Sequence, residues 1–195
     1  MTNRAAQGRA TREQLIEVAT GLFAEHGYED TSIEAVLRAA GVSRGALYHH
    51  FAGKDALFQA VVEALEVRVL ADLAKLTEAG SDAVTTLQNA AMAWIDLAAN
   101  REIQQILLID APAVVGWEQW HAINENHALG AMRGLLGEVA KQGRLPAQFI
   151  DPFAHMLLAA MDEIVLVIAR ADDSAAAAEQ GRAAVAELLR RITTP

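Results

Sequence analysis

Leu15, Val18, Ala19 and Leu22 recur at steps of three and four residues, with Phe23 beside them. That spacing lines one face of a helix and predicts an α-helix over 11–26, stopped by Gly27. The ten residues ahead of it are polar and read as a loose arm. Thr31 with Glu34 three positions later has the pattern of a capping box, so a second helix should start there. It carries Ile33, Val36 and Leu37 and ends at Ala40-Gly41. Ser43 can cap a third, short helix over 44–50. A longer stripe of Leu57, Val61, Leu65, Val69 and Leu73 predicts a helix over 54–78, broken by Gly80-Ser81. Further helices are predicted over 82–99, 102–110, 117–141, 150–170 and 174–192. The one over 102–110 should end before Pro112, because the residue preceding a proline avoids the helical region. Strand alternation and internal repeats are absent from the sequence, and the one biased tract is the alanine run 175–178. The chain reads as all-α, with about nine helices.

Composition narrows the possibilities. Apolar residues make up 53% of the 195 residues and prolines number 4, which fits a packed helical protein and not a disordered one. Cysteine is absent, so disulfides, thiolate catalysis and thiolate zinc sites are excluded. The N-terminal stretch lacks an apolar signal region. The longest apolar run, 153–169, is interrupted by Asp162 and Glu163, which argues against a membrane span. A cytoplasmic protein is expected. HExxH, GxSxG, a glycine-rich phosphate loop and paired catalytic carboxylates are all missing, so no catalytic residue, metal or cofactor is assigned. His49 and His50 are neighbours, about 100° apart around a helix, and are poorly placed to share a metal.

Net charge is −9, which alone would repel phosphate. Its distribution is uneven. Residues 1–60 hold 6 Lys/Arg against 7 Asp/Glu, whereas the remainder holds 10 against 18. Arg4, Arg9 and Arg12 precede the first acid. A molecule that meets nucleic acid by one end can be built this way.

Helix 32–40, the turn Gly41-Val42-Ser43 and helix 44–50 have the form of a helix-turn-helix. Gly41 permits a sharp turn. Ile33, Val36, Leu37, Leu47 and Phe51 would bury against Leu15, Val18 and Phe23. Arg44, Gly45, Tyr48 and His49 are left to point outward, where they can reach base edges or phosphates in a major groove. The same pattern also occurs in ordinary helical hairpins.

The stretch TSIEAVLRAAGVSRGALYHHFAGKDALF, 31–58, with LFAEHGYED just before it, resembles the DNA-binding domain of the TetR family of bacterial transcriptional regulators. The ALYHHF run, Lys54 and Leu57-Phe58 carry the likeness. Gly53 stands where serine is frequent in the family. The resemblance implies a helix-turn-helix domain over 1–54 and a helical ligand-binding and dimerisation domain over 55–195. It implies that Ser43, Arg44, Tyr48 and His49 contact the DNA operator, that Thr31 and Ser32 meet phosphate at a helix N-terminus, and that Lys54 holds another. Arg44 is the expected reader of guanine, since its fork matches two acceptors.

The C-terminal body supports a homodimer on separate grounds. Helix 150–170 carries Phe153, Met156, Leu157, Met161, Ile164, Val165, Val167 and Ile168 around most of its circumference, and so needs cover on two sides. Helix 174–192 adds Val185, Leu188, Leu189 and Ile192. In the family such helices form a four-helix bundle between two copies. Candidate effector-binding residues are Trp94, Trp117, Trp120, His121 and His155, with an apolar or aromatic small molecule as the expected ligand. His121 and Met132, eleven apart in one helix, would share a face. The resemblance implies a repressor released by that ligand. The competing reading is an all-α enzyme or adaptor with an unmarked site in the body.

Overall fold

The computed structural model describes residues 2–76 and 82–194. Ten α-helices occur among them: α1 (Thr2–Asp30), α2 (Ile33–Ala40), α3 (Arg44–His50), α4 (Lys54–Leu76), α5 (Ala83–Leu97), α6 (Ala111–Val114), α7 (Trp117–Asn126), α8 (Ala128–Lys141), α9 (Ile150–Arg170) and α10 (Ser174–Ile192). A π-helical segment, Ile103–Asp110, precedes α6, and a 3₁₀ turn, Ala147–Phe149, precedes α9. The chain forms two compact units. One holds residues 1–66 and 101–120, the other 67–100 and 121–195.

In the first unit, α1 packs against α2, α3 and the π segment. Its core holds Leu15, Phe23, Val36, Leu47 and Leu57, which the apolar pattern pointed to, together with Phe58; all are at most 1% exposed. Each fully buried side chain of this size contributes roughly 1.5–3 kcal/mol. Ile33, Leu37 and Val18 are only half-buried. Phe58 meets Phe23 edge-on at 5.0 Å and Tyr28 at 4.9 Å between ring centroids.

Three local expectations change here. Residues 2–10 are helical and continue into α1, not a loose arm. The N-cap of α2 is Ser32, whose hydroxyl accepts from the Ala35 N–H at 3.1 Å. Thr31 does not cap, because its hydroxyl donates to Gly27 O at 2.8 Å and Leu22 O at 3.2 Å instead. Pro112 does not end the helical run. It falls at the start of α6, and the register ahead of it widens to π. Gly41 closes α2 in the left-handed conformation, φ 66°, and its N–H reaches Leu37 O. Ser43 caps α3 as its position suggested, accepting from Ala46 N at 3.2 Å.

In the second unit, α9 is the central helix, packed by α5, α8 and α10. Ala154, Leu157, Met161 and Val165 form its buried face. Leu87 and Ile95 of α5, Leu129, Leu136 and Val139 of α8, and Val185 and Leu189 of α10 are buried as well. Residues 147–170 are long and apolar enough to cross a bilayer, but one face of α9 is filled by neighbouring helices, and Asp162 and Glu163 stand mid-helix. The single helix expected over 117–141 is two. His127, at φ −119° and ψ −92°, separates α7 from α8, so His121 and Met132 do not share a helix face. The expected break at Gly80-Ser81 lies outside the described residues.

Candidate nucleic-acid interface

The short helix α3 presents two opposite faces. Leu47 is fully buried and Phe51, which caps the helix, is 4% exposed. Arg44, Gly45, Tyr48 and His49 are exposed. Positions 44 and 48, and 45 and 49, are four apart, so these residues form one outward face. Tyr48 is 48% exposed, although an aromatic ring loses apolar burial there. His50 is half-buried, its ring 6.4 Å from that of Phe51. Arg12 of α1 lies over the Phe51 ring at 5.3 Å, and Gln14 donates to Ala40 O at 3.0 Å. Both tie α1 to the C-terminal ends of α2 and α3.

Arg44 is not idle. Its guanidinium donates to the Glu34 carboxylate at 2.5 Å, with both side chains more than half exposed. An exposed pair of this kind is worth about 0–1 kcal/mol, little enough for a phosphate or a guanine edge to replace. The acid pairs Arg44 across the turn from α2. Sequence reading did not assign Glu34 this part, since the two residues lie ten apart with a turn between.

Lys54 begins α4. Its ammonium stands 4.0 Å over the Tyr28 ring and donates to Glu29 O at 3.2 Å. Tyr28 donates its hydroxyl to Asp55. Desolvation first, and the bond to Asp55 second, hold the Tyr28 phenol well above its ordinary range, so it stays a neutral donor. The aromatic cluster therefore fixes the start of α4 beside the end of α1. Thr31 is 2% exposed; its hydroxyl serves the end of α1, while Ser32 next to it is exposed.

The effector candidates are distributed over both units. Trp94 is half-buried on α5, and its indole N–H is buried without an acceptor among the described residues. Trp120 is half-buried in the first unit. His155 is exposed on α9, 3.9 Å from the Asp151 carboxylate. The side chains of Trp117 and His121 lie outside the described residues. Desolvation raises the Asp162 carboxyl on α9 to about 7. No group of three or more His, Asp or Glu side chains suited to a metal occurs among the described residues.

Two family descriptions match the chain. Residues 15–61 match "Bacterial regulatory proteins, tetR family", and residues 84–192 match "Tetracyclin repressor-like, C-terminal domain". A TetR-family transcriptional regulator from Pectobacterium atrosepticum has a similar solved structure, with TM-score 0.81 and 31% identity over 100% of this chain and 99% of that one. The regulator UidR of Escherichia coli is 35% identical over 71 residues, spanning 36% of this chain and 36% of UidR. The match thus covers about a third of that curated relative. FadR from Bacillus subtilis, solved with stearoyl-CoA, shares the fold at TM-score 0.76 and 20% identity, over 91% of this chain and 96% of FadR. The chain belongs to the TetR family of DNA-binding transcriptional regulators.

Proposed function

We propose that this chain is a homodimeric repressor that holds a palindromic operator and is released from it by a small apolar or aromatic effector. The observation that carries the DNA half is the outward row Arg44, Gly45, Tyr48 and His49 on a helix anchored by buried Leu47 and Phe51. Arg44 reads guanine through its fork. Ser32, Ser43 and Lys54 lie at helix starts, where backbone N–H groups and the helix dipole favour phosphate. Thr31 gives both its hydroxyl and its backbone N–H to the end of α1, so the phosphate contact at this helix start falls to Ser32. Two such heads on a two-fold axis would occupy half-sites about 34–36 Å apart, or a multiple of that.

The dimer is supported by the surfaces of α9 and α10. Met156, Ala160, Glu163 and Val167 form an exposed stripe on α9. Met156 is 62% exposed, Val167 48%, and Leu188 on α10 40%. An apolar face of this kind fits a second copy of the same helices.

The effector reading rests on Trp94. A buried indole N–H without an acceptor is costly, and a ligand carrying a hydrogen-bond acceptor on an apolar frame would satisfy it. The stearoyl chain of the ligand solved with Bacillus subtilis FadR has the same apolar character, in that protein. Release follows if the ligand prefers a state in which the heads do not match the operator.

The test is selection of bound sequences from a random duplex pool, repeated across salt concentrations. One palindrome should be enriched, and its affinity should fall steeply with salt. Apolar compounds can then be screened for release from that palindrome, with Trp94→Phe as the control that retains the ring and removes the N–H. Absence of enrichment at low salt would sink the reading.

A further inference from the structure

The segment between α5 and α7 belongs to the same compact unit as the DNA-contacting helices, although the chain enters it from the other unit and returns there. Eight of its residues depart from the α-helical register of the helices around it. Ile103–Asp110 is π-helical, closed at its end by the Ala111 N–H bonding five residues back to Ile106 O. The sequence explains the widening. Pro112 has no N–H, and in a continuous α-helix its ring would clash with the carbonyl four residues back, at Leu108. A wider register relieves that clash, and π turns of this kind occur often at functional sites.

The register also decides what two side chains can do. Gln105 donates from Nε2 to Asp110 Oδ1 at 3.0 Å, a pair five residues apart. In an α-helix such residues lie on the order of 140° apart and face away from each other. In a helix bonded between residues five apart they come much nearer to one another around the axis, within reach of a side-chain hydrogen bond. Both side chains converge on the end of α1. Asp110 Oδ2 accepts the backbone N–H of Tyr28 at 2.8 Å, and Gln105 Nε2 is 3.4 Å from where a Cβ on Gly27 would stand. Gly27, at φ 78° and ψ 170°, takes the backbone out of helical register, so the Tyr28 N–H needs an acceptor from outside the helix. One turn earlier, Arg101 donates Nε to Ala24 O and a terminal nitrogen to Glu25 O, each at 3.1 Å.

We propose that the π-helical segment 103–110 is a register-dependent latch on the end of α1, held closed in the DNA-binding state by the wide register that Pro112 favours and opened when the segment is driven into α-helical register. That change rotates Asp110 away from Gln105 and Tyr28 and frees the Gly27-Tyr28 junction. That junction leads directly into Tyr28, whose ring carries Lys54 and whose hydroxyl holds Asp55, at the start of α4. Opening the latch therefore loosens the base of the helix-turn-helix and the Tyr28 ring on which Lys54 rests, while Arg44, Tyr48 and His49 keep their places on α3. The inference rests on the proposal of effector-controlled operator release, and its test needs no effector.

The test uses the full chain and the palindrome from the selection above. Exchange of the Tyr28 amide is followed with and without operator DNA, in the natural chain and in Asp110→Ala, Gln105→Ala and Pro112→Ala. By reciprocity, a latch coupled to DNA binding must itself be tightened by DNA. Operator should slow Tyr28 exchange several-fold in the natural chain. Each variant should speed that exchange in the free protein and weaken operator binding on the order of 10-fold. The salt slope should fall by no more than the one Lys54 contact, about one per head, because the variants remove no cation themselves. Gln105→Ala, which leaves the Tyr28 acceptor in place, keeps the test decisive if Asp110→Ala fails to fold. Equal Tyr28 exchange with and without operator, or natural operator affinity in variants whose Tyr28 amide is exposed, would overturn the latch. Failure of the natural chain to enrich any DNA would instead strike at the regulator reading, and is seen before the variants are made.

Discussion

At the residue scale, Arg44 and Lys54 are both cations near the DNA-contacting end, yet their surroundings assign them different work. Arg44 is exposed and its pair with Glu34 lies in solvent, worth only about 0–1 kcal/mol, so its planar fork can exchange an acid for a guanine edge. Lys54 is tied to the Tyr28 ring and Glu29 O, which suits a fixed positive point for phosphate. Arg44→Ala should cost about 1–3 kcal/mol of operator binding and relax the base preference at one position of each half-site. Lys54→Ala should weaken binding to all sequences alike and reduce the salt slope by about one per head. Titrations of both variants against the operator and a scrambled duplex at several salt concentrations check this. Equal losses on both duplexes for Arg44→Ala would remove it from base reading. The exposed members of this site were legible in sequence because they alternate with the apolar positions 47 and 51. Glu34 and Tyr28 were not assigned there, since each acts through a partner ten or more residues away. Thr31 shows the same limit: two adjacent hydroxyls could cap α2, and only the carbonyls at the end of α1 decide which one does.

At the scale of the element, α9 carries a titratable group that the rest of the fold opposes. Desolvation raises the Asp162 carboxyl to about 7, above the value near 4 expected in the unfolded chain. Between those values the native state retains a proton that the unfolded chain has released. Stability therefore falls as pH rises from about 4 to about 7 and levels off above it. Asp162→Asn should flatten that slope and raise the melting temperature at pH 8 while changing it little at pH 4. Thermal unfolding across this range is the measurement, and an unchanged slope would assign the pH dependence elsewhere. The elements themselves were readable to differing degrees. Helices with an apolar stripe, α2 to α5, α9 and α10, stand close to where the spacing put them. The start of α1 was missed because residues 2–10 carry no stripe. The break at His127 was missed because neither glycine nor proline marks it. The π register was missed because proline was read as a stop, whereas here the backbone widens to keep the helical run.

At the scale of the whole molecule, one copy of the helix-turn-helix presents few side chains, and a palindrome needs two. The exposed apolar residues of α9 and α10 are the surface on which a second copy would sit. Met156 and Leu188 are 62% and 40% exposed, so replacing them should change the fold of one chain by no more than about 0.5 kcal/mol. A glutamate at each would, however, bring like charges into the centre of a two-fold contact, where the same patch meets itself. Met156→Glu combined with Leu188→Glu should sediment as a monomer with its helical circular dichroism retained. Its operator affinity should fall by roughly 10²-fold or more, because the second half-site is no longer bound by a linked head. Each head would still bind DNA weakly, with a salt slope roughly half that of the natural chain. A double variant that sediments like the natural chain would place the dimer contact on another face. The exposed row Met156, Ala160 and Val167 would then need a different explanation. A monomer that keeps full operator affinity would separate DNA binding from dimerisation and remove the two-fold argument for the palindrome.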